Sequence, residues 1–256
     1  MQLYLAVTPD HIEQALALTP HLAHIAFRVS EDGVLLQRPL PPSLQGGVMV
    51  LQCQAAIPAN RAETLAREVM HICICRNFSG ILLTAPSAAD ISPAVRRLQQ
   101  LATQHRRRLY VPETYARTAP EASVLICTAL SGGSLRQRLE QATQQHGAAR
   151  IALDLQRLMM VFPLPCPDGE GRSLSLMEFR QRRQGHSVYY CDELCAHYFT
   201  QQHSGQTRFV LYDDADTLRR KMELAENLGI AESFIAWPEA ADLLPQLFAK
   251  KKEGEP

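Results

Sequence analysis

The sequence predicts an α/β fold, and within it a closed (β/α)8 TIM barrel, on three observations. Short apolar runs alternate with helix-like segments along most of the chain. Eight of those runs read as buried strands, the number that closes a parallel barrel. The 256 residues, 46% of them hydrophobic, are enough for one large core. The strands are LYLAV, HIAFRV, VMVLQC, GILLT, RLYVP, SVLICTA, RIALDL and SFIAW. Most are nearly continuous in apolar residues, as inner parallel strands are. The predicted helices cover residues 60 to 74, 91 to 106, 134 to 146 and 215 to 228. Ser92 before Pro93 opens the second of them, Ser134 caps the third, and Gly147 and Gly229 stand where the last two should stop.

The alternation breaks once. Residues 156 to 211 hold a Pro/Gly-rich turn, FPLPCPDGEGRS, and then the aromatic strand-like pieces SVYYCD, AHYFTQQ and TRFVLYD, with HSGQ as a hairpin turn. The expectation is a small β-rich excursion over the barrel mouth, between the last two barrel strands. A single domain then spans residues 1–249, and KKKEGEP, 250–256 in all, is a charged, solvated tail.

Composition narrows the function. With 26 basic and 26 acidic residues there is no net positive field to attract nucleic acid or an anionic membrane. No apolar run approaches the roughly 18 residues that span a bilayer. The opening MQLYLAVTPDH has neither a basic n-region nor a cleavage site, so a cytoplasmic protein is expected. The seven cysteines fall mostly in apolar patterns and are expected to be buried free thiols. Neither Cys73 with Cys75 nor Cys191, Cys195 and His197 has the spacing of a zinc site, and no metal or cofactor is expected.

Two stretches carry a resemblance. HLAHIAFRVSEDGVLL leads an apolar strand through a polar turn to Asp32, Gly33 and Val34. VLYDDADTLRRKMELAENLGIAESFIAW sets an aromatic-acid-acid turn, Tyr212, Asp213 and Asp214, before a helix start at Thr217 and Leu218, then Lys221 and a final-strand Trp237. Both resemble glycoside hydrolase family 18, the chitinase-like barrels, and especially their bacterial spore and cell-wall hydrolases. The match departs in two places: Ala231 and Glu232 replace the family's small glycines, and Trp237 comes one residue late. The resemblance implies a TIM barrel, N-acetylated glycans as ligands and a link to the bacterial cell wall or sporulation.

The family's fourth strand carries acids in a D-x-x-D-x-D-x-E pattern. Aligned on Phe78 and Gly80, those positions fall on Ser79, Leu82, Thr84 and Pro86, so no acid remains. In the family the last acid protonates the glycosidic oxygen and the one before it holds the N-acetyl group, a substrate-assisted route. Leu82 offers no hydrogen bond, Thr84 only a hydroxyl, and Pro86 lacks even a backbone N–H. Loss of general-acid catalysis typically costs a factor of about 100 to 10,000. The family's Met-x-Tyr-Asp is also replaced, by a stretch with Cys127, Thr128 and Ala129. The expectation is therefore a catalytically inactive barrel that binds a glycan or acts as a scaffold for a protein partner.

Other residues compete for a role. Glu113, Asp154 and Glu239 end strands that open on one mouth, so relocated carboxylates could run a glycosidase or transferase. The competing reading is that they cap loops or pair with arginines. Trp237 reads as the floor of a sugar subsite, which the resemblance implies, or as a barrel plug. Tyr189 and Tyr212 could line a cleft or pack a small sheet. A third class, a structural interaction module, would have its mouth filled by side chains.

Overall fold

All eight apolar runs form strands of one parallel sheet. The computed structural model describes residues 1–86, 89–166, 169–203 and 205–249; the tail read at 250–256 lies outside the described residues, as does Ser204 of the HSGQ turn. In chain order the strands are β1 (Gln2–Val7), β2 (Leu22–Val29), β3 (Leu35–Gln37), β4 (Val48–Cys53), β5 (Gly80–Thr84), β6 (Arg108–Pro112), β7 (Ser123–Cys127) and β8 (Ile151–Asp154). There follow β9 (Met159–Leu164), β10 (Arg172–Ser173), β11 (Tyr189–Cys191), β12 (Ala196–His203), β13 (Gln206–Tyr212) and β14 (Glu232–Ala236). The barrel runs β1, β14, β8, β7, β6, β5, β4, β2, and it closes because β1 also pairs with β2, Leu5 opposite Leu22. Asp32 and Gly33 make the tight turn into β3, a short antiparallel addition to β2.

Strand alternation sorts the apolar side chains into two cores. Along β5, Ile81 and Leu83 point to the helices, whereas Leu82 points inside. The same holds for Met49 and Leu51 against Val48 and Val50 on β4, and for Ile151 and Leu153 against Ala152 on β8. The interior is packed at its N-terminal end: the Phe234 ring stacks on Tyr4 with centroids 4.9 Å apart and meets Tyr110 edge-on at 4.9 Å. The Tyr110 hydroxyl donates to Glu232 at 3.1 Å, and Arg108 pairs with the same carboxylate. Gly80 permits the close approach of β5 to β6, since a Cβ there would come within 2.7 Å of the Arg108 carbonyl oxygen.

The helices are α1 (Ile12–Leu16), α2 (Ala59–Cys75), α3 (Ser92–Gln104), α4 (Leu135–His146), α5 (Leu176–Arg183), α6 (Ala215–Glu226), α7 (Trp237–Ala240) and α8 (Leu244–Leu247). The four predicted helices are α2, α3, α4 and α6. On α2 the buried residues Ala62, Leu65, Ala66, Val69, Met70 and Cys73 repeat at helical spacing. Ser134 caps α4 by accepting from the Gln137 N–H. α3 opens at Ser92, as expected, and the Asp90 carboxylate ahead of it accepts from the Ser92 N–H at 3.0 Å. The helical shell has gaps. β3 replaces a helix between β2 and β4, and a 3-10 turn at Glu113–Tyr115 replaces one between β6 and β7. No helix among the described residues is long and apolar enough to cross a membrane. All seven cysteines are free, but only Cys53, Cys73 and Cys195 are buried. Cys75 is exposed because it lies two residues, about 200° of helix turn, beyond Cys73.

The excursion is a five-stranded antiparallel sheet in the order β10, β9, β13, β12, β11. One face, with Val161, Phe199, Val210 and Tyr212, is buried with Phe179 of α5. The other, with Leu158, Phe162 and Leu211, packs on Ala129 and Leu130 beyond β7. The Leu135 N–H donates to the Glu193 carbonyl at 2.7 Å, tying the sheet to the start of α4. These contacts join the sheet to the segment that follows the C-terminal end of β7.

Its two ends meet in a buried neck. Asp213, fully buried, accepts from the Leu158 N–H at 2.9 Å, the Lys221 ammonium at 2.8 Å and the Thr217 hydroxyl at 2.9 Å. Its own N–H donates to the Leu158 carbonyl at 2.8 Å. Lys221 is also fully buried, and Asp214 next door caps α6 through the Asp216 and Thr217 N–H groups. Removing one partner of such a pair strands a buried charge, at a cost of about 3–5 kcal/mol. Lys221→Met should lose about that much in urea unfolding, and adding Asp213→Leu should recover part of it.

Candidate functional site

A cavity of about 510 Å³ opens at the C-terminal mouth of the barrel. Its walls are the inward columns carried one or two residues past the packed layer. β1 contributes Ala6 and Thr8, β4 Val50 and Gln52, and β5 Leu82 and Thr84. Asp154 ends β8, Gln156 follows it, and Phe234 and Ala236 come from β14. Phe234 is thus both the lid of the packed half and the floor of the cavity. Apolar side chains from Ile25, Val50, Leu82, Leu125 and Phe234 form the depth, and Thr8, Gln52, Thr84 and Gln156 give a polar rim. The mouth is open, not filled by side chains.

The family acid positions run from bottom to top of β5, and two of them share its inward column. Ser79 lies at the N-terminal end, its hydroxyl donating to the Gly47 carbonyl at 2.9 Å. Leu82 and Thr84 face the cavity, as the inward column requires, and Pro86 is exposed beyond the strand without lining the cavity.

Two of the three substitute carboxylates come together. Asp154 shares the inward side of β8 with Ala152, and Glu239 joins it from α7, directly after β14. Asp154 accepts from the Gln156 amide at 2.7 Å. Burial pushes its carboxyl above the ordinary carboxylate range. Burial also raises Glu239, and the nearby charge of Asp154 raises it further. Glu113 stands apart. It follows Pro112 on the outward side of β6 and is engaged by Arg138 of α4, with His146 at 3.6 Å.

The three aromatic candidates lie outside the cavity lining. Trp237 packs against the core between barrel and helices and stacks on His11 at 5.5 Å. Its lateness by one residue explains this: Phe234 and Ala236 take the inward side, so position 237 turns away. Tyr189 is 55% exposed on the edge strand β11 and stacks on Tyr198 at 5.5 Å. Tyr212 is buried in the excursion against Phe179, and its hydroxyl accepts from Arg183 at 3.2 Å. Both belong to the packing of the small sheet. The lining residues that sequence reading missed, Gln52 above all, had one signal: polar residues on the inward side at a strand's C-terminal end.

No protein-family model matches the chain, and no curated protein matches it in sequence. Solved structures do. The spore cortex-lytic enzyme SleL of Bacillus megaterium superposes with a TM-score of 0.66 at 16% identity, over 96% of this chain and 72% of that one. The chain has the fold of the chitinase-like barrels. A chitinase of Chromobacterium violaceum gives a TM-score of 0.66 at 13% identity, over 97% of this chain and 99% of its own. A class V chitinase of Nicotiana tobaccum, in complex with NAG4, gives 0.60 at 12% identity, over 96% and 98%. The chitinase-like architecture read from the Asp32 and Asp213 regions therefore stands across nearly the whole chain.

Two outcomes follow from the geometry. A carboxyl raised by burial favours folding below its unfolded pKa, and that advantage is lost as pH rises through the folded value. Asp154→Asn should therefore unfold at a higher temperature than the parent at pH 7, with the gap closing as pH falls below the carboxylate range. Trp237→Phe should lower the unfolding temperature, read by thermal denaturation, because the ring packs in the core between barrel and helices.

Proposed function

We propose that this chain is a saccharide-binding barrel that does not hydrolyse its ligand by the route of the chitinases it resembles. The observation that carries the reading is the open mouth cavity walled on β5 by Leu82 and Thr84. Its volume lies in the range of about 300–1,000 Å³ usual for small-ligand pockets. An apolar floor under polar walls suits a sugar ring, whose C–H face stacks on Phe234 while its hydroxyls meet Gln52, Thr84 and Gln156. N-acetylated glycans are the class to expect, by analogy with the chitinase that carries NAG4. A cytoplasmic place and a link to the cell wall or sporulation belong to the same proposal, the latter supported by the likeness to SleL. A glycoside-hydrolase-like barrel that scaffolds a protein partner would use the same mouth.

A second reading has one observation in its favour. Asp154 and Glu239 share the cavity, and burial raises both carboxyls, the direction in which a general acid is tuned.

The test is incubation with N-acetylglucosamine oligomers and cell-wall glycan, with products followed by mass and binding by calorimetry. The expected result is no turnover and an affinity near millimolar, about 4 kcal/mol. Leu82→Trp, which fills the cavity, should abolish that binding. Turnover that disappears in Asp154→Asn or Glu239→Gln would replace the binding reading with the second one. Absence of binding to any oligomer would remove the saccharide altogether.

A further inference from the structure

The cavity that the saccharide reading rests on has an unbalanced charge. Two carboxylates line it, Asp154 and Glu239, and one cation, Arg38. The Arg38 guanidinium is already held by Asp10 at 2.8 Å. Arg157, next along the chain from Gln156, gives its guanidinium to Asp242 at 2.6 Å and to the Glu239 backbone carbonyl at 3.2 Å. Lys221 is spent on Asp213. Among the described residues, no ion pair reaches either cavity carboxylate; Asp154 has only the Gln156 amide, and Glu239 has no side-chain donor. Charges withdrawn from water are normally paired or bind a cation, and here both carboxylates face one cavity.

We propose that Asp154 and Glu239 make this cavity select saccharides carrying a protonated amine, that is, de-N-acetylated hexosamine units, over their N-acetylated counterparts. This rests on the saccharide-binding reading and names its ligand class. An ammonium group has three donors and no acceptor. Two carboxylates from the neighbouring strand ends of β8 and β14 satisfy two of them, and the carbonyl oxygen of Gln156, whose amide nitrogen is spent on Asp154, offers a third acceptor. The sugar ring keeps its contact with the Phe234 floor. An N-acetyl group puts a neutral, bulkier amide where the charge would sit, and leaves both carboxylates without a counter-charge. A divalent metal is the poorer match. Calcium takes six to eight oxygens and magnesium a near-ideal octahedron, and no group of three His, Cys, Asp or Glu among the described residues could hold a metal.

The experiment is calorimetric titration of the full chain with glucosamine tetramer and with N-acetylglucosamine tetramer, at one pH and one ionic strength. Charge-assisted hydrogen bonds should make the amine form bind at least about tenfold more tightly. Asp154→Asn and Glu239→Gln should each bring the ratio of affinities toward one. Both substitutions keep side-chain size, and circular dichroism checks that each variant folds. Equal affinities for the two tetramers would overturn the proposal while leaving the saccharide reading intact. A preference that survives in both variants would overturn it too, placing the effect on the general surface. If neither tetramer binds, the reading beneath it falls as well. Stoichiometric binding of calcium or magnesium that is lost in both variants would assign the pair to a metal instead.

Discussion

The geometry of the mouth depends on one buried carboxylate. Asp213 gathers the Leu158 N–H, the Thr217 hydroxyl and the Lys221 ammonium. Leu158 is where the chain leaves the barrel for the excursion, and Asp213 is where it returns. The second sheet can therefore be long and irregular without disturbing the barrel, because its entry and exit are pinned to one point. That point lies on the chain between the two acids of the cavity: Asp154 precedes it, and Glu239 follows by way of α6 and β14. The direct pairing of β8 with β14, Phe234 opposite Asp154, then holds the two acids side by side.

The inward column of each strand does the rest. A barrel strand carries one side chain in two toward the axis, and only the last two inward positions emerge above the packed layer. On β5 these are Leu82 and Thr84 and on β4 Val50 and Gln52, while β8 ends in Asp154 with Gln156 following. The chemistry of the mouth is thereby written in very few positions. A change of residue at one of them alters the mouth and leaves the barrel standing, because the helix-facing residues on either side of Leu82, Ile81 and Leu83, hold the strand in place.

Much of this was legible in the sequence. Eight apolar runs, two of them bounded by Gly80 and Pro112, gave every barrel strand, and the inward line through positions 82 and 84 followed from period-two geometry alone. What misled was position rather than residue type. Trp237 has the character of a sugar platform, yet a displacement of one residue turns it to the helix side. Tyr189 and Tyr212 sit on an antiparallel sheet whose placement is decided by long-range packing of Phe162, Leu194 and Leu211 against Ala129 and Leu130. No local pattern encodes that contact. Glu113 looked equivalent to Asp154 as a strand-end acid, but one residue of parity gives it to Arg138.

Phe234 divides the barrel into two unlike halves. Beneath it Tyr4, Tyr110, Glu232 and Arg108 fill and seal the interior. Above it the same eight strands enclose open space. Substitutions below the ring are paid in folding and will be resisted, whereas those above it touch few neighbours and can accumulate. A barrel partitioned in this way can pass through inactive sequences between one ligand and the next without unfolding on the way, so that drift at its mouth is an ordinary route to a new specificity.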